Sequence, residues 1–126
     1  MKMKAPGHEM VLIVEDDEDT AESLRDTIEV MGYKAEVAGN GKVALDYLRR
    51  EPEKYCLVLL DLAMPVMNGW DFLSEHHGDT KLSGIPVIIV SAIPRVHAKV
   101  AADDAAEFLQ KPVDTARLEA ALRHYC

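Results

Sequence analysis

Short all-apolar runs separated by amphipathic segments constrain this chain more than any other feature. Met10-Val11-Leu12-Ile13-Val14, Cys56-Leu57-Val58-Leu59-Leu60 and Pro86-Val87-Ile88-Ile89-Val90-Ser91 carry almost no polar residue until they end. A strand with one wet face alternates, whereas a strand buried on both faces reads as continuous hydrophobicity. Two weaker runs complete the set, the alternating Tyr33–Ala38 and the brief Glu107–Gln110. Between them lie stretches of helical period. Ala21, Leu24, Ile28 and Met31 form one stripe, which Gly32 stops in the C′ manner. Val43, Ala44, Tyr47 and Leu48 form a second, ended by Pro52. A short third helix fits Trp70 to about His77. The Ala-rich residues 95–104 favour a fourth, and Leu118, Ala121, Leu122 and Tyr125 describe a last one with Asp114 as its N-cap. Strand and helix therefore alternate five times. Helical crossovers imply right-handed parallel pairing, hence an α/β domain with a doubly wound five-stranded parallel sheet.

The 126 residues suffice for one domain, and no linker or repeat interrupts them. Residues 1–9, with Pro6 and Gly7, read as a loose lead-in, and 10–126 as the domain. A net charge of −8 repels nucleic acid phosphates, so direct nucleic acid binding by this segment is not expected. No apolar run reaches the ~20 residues of a membrane span, and no signal-peptide core follows the basic Met1–Lys4. Two cysteines are too few for a disulfide framework. Cys56 is expected as a small buried strand residue and Cys126 as a free thiol, and the location as cytoplasmic, with no membrane association.

In an open parallel sheet, ligands bind beyond the carboxyl ends of the strands. The first apolar run ends in Glu15-Asp16-Asp17, the third in Asp61, the fourth in Ser91 and the fifth in Lys111-Pro112. Acids, a hydroxyl and a cation thus reach one edge from four strands. Taken singly, each has a plainer explanation. Acids ahead of a helix gain ~0.3–1 kcal/mol each from its macrodipole. Asp61 could cap a turn, Ser often ends a strand, and Lys111 could be an ordinary surface lysine. Asp17 is expected to serve the turn rather than a ligand. His76 and His77, ~100° apart on a helix, cannot readily chelate together and read as a solvated helix end.

The whole pattern, Val-Leu-Ile-Val-Glu15-Asp16-Asp17-Glu18, Asp61-Leu-Ala-Met-Pro-Val-Met-Asn-Gly69, Ser91-Ala92 and Lys111-Pro112, resembles the receiver domains of two-component response regulators from about Met10 to Tyr125. The resemblance implies a flavodoxin-like fold of strand order 2-1-3-4-5. It implies that Asp61 is the phosphoacceptor. It assigns Asp16 as the more direct Mg²⁺ ligand, Glu15 as one acting largely through water, and the Ala63 carbonyl as a third; Asp61 itself contributes an oxygen. Lys111 and Ser91 are then the groups that meet the phosphoryl oxygens. The expected donor is a histidine kinase or a histidine phosphotransfer protein, and the output a downstream protein target. Ser91 and Phe108 match the family's switch pair, the ring being Phe where Tyr is frequent. Ala63 and Ile93 match the positions that tune dephosphorylation, and both are apolar. The domain is expected to catalyse only its own phosphorylation and dephosphorylation. Two other functions compete. A degenerate receiver would bind partners without phosphorylation, against which the full set Glu15, Asp16, Asp61, Ser91 and Lys111 speaks. A Mg²⁺-dependent phosphohydrolase would need a second acid beside the nucleophile, and Leu62 and Ala63 supply none.

Overall fold

A computed structural model describes residues 9–61, 69–92 and 105–126. In chain order it contains β1 (Met10–Val14), α1 (Glu18–Val30), β2 (Lys34–Ala38), α2 (Gly41–Arg50), a 3₁₀ turn (Pro52–Lys54), β3 (Tyr55–Leu60), α3 (Gly69–Gly78), β4 (Val87–Ser91), β5 (Glu107–Gln110) and α4 (Thr115–Tyr125). The helix expected over 95–104 lies outside the described residues, as does most of the lead-in. All strand pairs are parallel and the order is β2-β1-β3-β4-β5. The doubly wound sheet read from the apolar runs is the one that forms.

Local chemistry sets the boundaries. The end of α1 is a Schellman motif: Gly32, at φ 94°, donates to the Glu29 carbonyl and Tyr33 to that of Ile28. Ile28 and Tyr33 then pack in one apolar cluster, the contact that usually accompanies this cap. Asn40 is more than a turn residue. Its side chain accepts from the Val43 N–H at 2.9 Å and caps α2. Asp114 caps α4 by accepting from Ala116 at 2.9 Å.

The sheet separates two cores. On one face Leu12, Val14, Val58, Leu60, Ile89 and Phe108 meet α2 and α3 through Leu45, Leu48, Phe72 and Leu73. On the other Val11, Ile13, Leu57, Leu59 and Val90 meet α1 and α4 through Ala21, Ile28, Leu118 and Leu122. Two expectations fail here. His76 is not solvated: it is buried with its ring 5.9 Å from that of Phe72, because the i,i+4 spacing from Phe72 puts it on the apolar stripe of α3. His77 is exposed. Cys126 is not a free thiol either, since it forms a disulfide with Cys56, their Cα atoms 5.4 Å apart. Seventy residues separate the two in sequence, so spacing alone gave no hint of the contact.

That bond depends on an irregularity in β3. Met10 pairs with Tyr55 but Val11 pairs with Leu57, so Cys56 is an extra residue in the ladder. The bulge breaks the alternation: Cys56 and Leu57 both face α1 and α4, and Tyr55 is thrown to the opposite face. There the Tyr55 hydroxyl donates to Glu36 Oε1 at 2.6 Å, while Lys54 Nζ donates to Glu36 Oε2 at 2.9 Å. Burial and the adjacent carboxylate raise the Tyr55 pKa. Burial opposes the Glu36 charge, but the two donors outweigh it and its pKa falls below the ordinary value. The raised tyrosine contributes stability that is full below about pH 10 and lost as pH rises through its folded value; the lowered carboxyl contributes above about pH 4.3 and loses it as pH falls. Tyr55→Phe should therefore cost about 1.5 kcal/mol at pH 7, measured by urea unfolding, with the difference from the native chain shrinking below about pH 4. An equal cost at acid and neutral pH would mean that the loss is packing and not this bond.

Candidate functional site

The acids collect at the carboxyl edge because the register demands it. Val14 pairs with Leu60, so the next residues, Glu15 and Asp61, emerge side by side from adjacent strands. Backbone bonds fix both: Glu15 N–H donates to the Ala38 carbonyl at 3.1 Å and Asp61 N–H to that of Val14 at 3.0 Å. Asp16 follows, exposed, whereas Glu15 and Asp61 are buried. Carboxylate oxygens of Glu15, Asp16 and Asp61 all lie within 4.8 Å of one another. Asp17 takes no part in this group. It accepts from the Thr20 hydroxyl at the start of α1, which holds its carboxyl below the usual range, so it serves the turn as expected.

Lys111 crosses the whole edge to meet them. With β3 and β4 between β1 and β5, the strands it bridges lie roughly 14 Å apart. Lys111 Nζ donates to Glu15 Oε1 at 2.6 Å and to Asp61 Oδ2 at 3.4 Å. Burial works against the ammonium, but the bond to Glu15 and the field of Asp61 prevail and its pKa is raised. Burial likewise lifts the Glu15 carboxyl above its ordinary value, with Lys111 opposing the shift. The family resemblance pairs Lys111 with an incoming phosphoryl group only, and the bond to Glu15 is an additional contact. The signal was an acid and a lysine at the ends of non-adjacent strands, legible only once strand order is known.

Ser91 ends β4, buried, and its carbonyl accepts from the Lys111 N–H at 3.0 Å. Phe108 is buried on the α2/α3 face, and its strand neighbour on β4 is Ile89, two residues before Ser91. The structure thus brings Glu15, Asp16, Asp61 and Lys111 together, with Ser91 on the same edge and Phe108 in the core beneath. Ala63 and Ile93 lie outside the described residues.

The donor set suits a hard divalent cation: three carboxylates, one open to water, and no soft ligand among them. The ammonium lodged between two of the acids shows that this group needs positive charge. What the edge offers chemically is a buried carboxylate, Asp61, beside two acids able to hold a metal and a lysine able to meet an anion.

The family model described as the response regulator receiver domain matches residues 11–123. This chain belongs to the response regulator receiver family. An uncharacterised 14.6 kDa protein of Leptolyngbya boryana is 36% identical over 92% of this receiver and 88% of its own length. The transcriptional regulatory protein CpxR homolog of Haemophilus influenzae is 38% identical over 90% of this chain. The receiver spans only 50% of that relative, and about half of several other regulators that it matches. Among solved structures, a sensor protein from Polaromonas superimposes with a TM-score of 0.85 at 25% identity, over 93% of this chain and 94% of the other. Receivers are signalling modules of two-component systems, paired with histidine kinases, and are in general not enzymes. Among the described residues, no helix is long and apolar enough to cross a membrane.

If Lys111 neutralises the clustered acids, Lys111→Met should cost about 2–3 kcal/mol in chelator, because a buried charge loses its partner. Excess Mg²⁺ should restore much of that loss. Thermal unfolding with and without the cation tests this, and a deficit that ignores the cation would show that the acids do not share a cation site.

Proposed function

We propose that this receiver accepts a phosphoryl group on Asp61 from the phosphohistidine of a histidine kinase or histidine phosphotransfer protein. The observation that supports it best is the convergence of Glu15 and Asp16, from the end of β1, and Lys111, from the end of β5, on the Asp61 carboxylate at the end of β3. An Asp61 oxygen attacks phosphorus, the phosphorus–nitrogen bond breaks, and the imidazole leaves and takes up a proton, which yields a mixed anhydride. Lys111 balances charge on the phosphoryl oxygens, and the Ser91 hydroxyl donates to another of them. Glu15, Asp16, Asp61 and the Ala63 carbonyl would hold Mg²⁺, which when bound neutralises the approach of one anion to another.

In this reading residues 10–126 form the domain and 1–9 a lead-in. The module catalyses only its own phosphorylation and dephosphorylation. It works in the cytoplasm, away from the membrane, and passes its state to a downstream protein target through Ser91 and Phe108. Its net charge of −8 argues against direct contact with nucleic acid, which a separate segment of a longer regulator would supply.

Incubation with acetyl phosphate and Mg²⁺, followed by intact mass, tests the site. One phosphoryl group is expected per chain, and none in Asp61→Asn, a nearly isosteric change. Native-level labelling of that variant would move the acceptor elsewhere, and continuous release of phosphate would make the protein a phosphohydrolase. Asp16→Ala should raise the Mg²⁺ concentration needed for half-labelling by about tenfold, a metal ligand lost.

Lifetime follows from two apolar side chains, Ala63 and Ile93, neither of which can orient an attacking water. Decay of the native phosphoprotein should be slow, and Ala63→Asn with Ile93→Glu should accelerate it. Equal or slower loss of phosphate in the double variant would remove water access at these positions as the control.

A further inference from the structure

The Cys56–Cys126 bond has no part in the chemistry at the other end of the sheet. Cys56 is the second residue of β3, at the amino end of the strand, whereas Asp61 follows its carboxyl end. Three observations give the bond a purpose of its own. The bulge between Met10 and Val11 turns Cys56 toward α4, so a special backbone feature serves the pairing. Cys56 is fully buried while Cys126 is partly exposed, so Cys126 is the half of the pair nearer to solvent. The helix that carries Cys126 starts four residues after Lys111 and packs on the sheet through Leu118, Ala121 and Leu122. These side chains seat the body of the helix, while Tyr125 and Cys126 at its end are only partly buried against the same cluster, so the last turn is where a covalent tie adds most.

We propose that Cys56 and Cys126 form a reversible thiol–disulfide switch that clamps the last turn of α4 to β3. This rests on the cytoplasmic location proposed above, where disulfides are in general transient or redox-sensing and not permanent staples. A low-mass thiolate of the glutathione class attacks Sγ of Cys126, the less buried residue of the pair. The Cys56–Cys126 bond breaks, Cys56 leaves with the electron pair and takes up a proton, and a mixed disulfide remains on Cys126. A second thiolate attacks the external sulfur and releases Cys126 as a thiol together with the low-mass disulfide. Two electrons and two protons pass to the protein, and oxidation by that disulfide runs the same steps in reverse. In the reduced form the turn ending at Tyr125 keeps its backbone bond from Cys126 N–H to the Leu122 carbonyl but loses its covalent tie.

The full chain is equilibrated in oxidised or reduced glutathione, its thiols are counted by alkylation and mass, and amide exchange is followed by peptide. Oxidised protein should have no free thiol and reduced protein two, interconverting without unfolding. On reduction, amides of residues 121–126 should exchange at least about tenfold faster while β1 and β3 stay protected. Cys126→Ser, a change at a helix end that leaves the core intact, should show the fast pattern in both buffers. Failure of the bond to form in oxidising glutathione would overturn the proposal. So would formation with unchanged exchange at 121–126, or reduction that unfolds the whole chain and marks an obligatory staple. Phosphorylation enters none of these readouts, so a fault in the Asp61 assignment would leave the outcome unaffected.

Discussion

A parallel sheet covered by helices on both faces has nowhere to put charge except its ends. Apart from Ser91, which ends β4, every residue of β1, β3 and β4 is apolar and nearly all are buried, and the charged groups appear at the first residue past β1, β3 and β5. That restriction crowds Glu15 and Asp61 together, because parallel register carries adjacent strands to the edge in step. Carboxylates this close and this buried repel each other and miss their water. The crossing of Lys111 from β5 meets both costs, and it does so from the one strand that the chain adds last.

The same crossing ties the edge together. A lysine whose nitrogen lies at 2.6 Å from Glu15 and 3.4 Å from Asp61 is held more tightly by the residue proposed to assist than by the one proposed to react. The ammonium thus lies within bonding distance of both carboxylates at once. Its backbone N–H is bonded to the Ser91 carbonyl, so Lys111 is tied to the end of β4 as well. Phe108 lies three residues upstream of Lys111, on β5.

Much of this was legible in the sequence, for physical reasons. Continuous apolar runs leave no other economical fold than a covered parallel sheet, and Gly32 and Asp114 announce their caps because few residues do that work. Asp61 and Glu15 could be placed at strand ends because the apolar runs stop there. What escaped were features that depend on a single residue of register. The Cys56–Cys126 contact, the Tyr55–Glu36 bond and the Lys111–Glu15 bond each join segments far apart in the chain. Period-two alternation within β3 would have sent Cys56 and Tyr55 to the wrong faces. His76 was misread for the opposite reason: its chemistry suggested water, while its spacing from Phe72 assigned it to the core.

The bulge in β3 has one more consequence. Side chains on a strand have parity, odd to one face and even to the other, and β3 changes parity between Leu57 and Cys56. The strand is in effect two strands of opposite phase joined end to end, the first at the end of the sheet remote from Asp61 and the second running to the carboxyl edge. Substitutions at the amino end can therefore be exchanged between relatives only as a phased block. A segment transplanted from a relative lacking the extra residue would point a tyrosine at α4 and a thiol at α2, though each aligned residue looked conservative by itself.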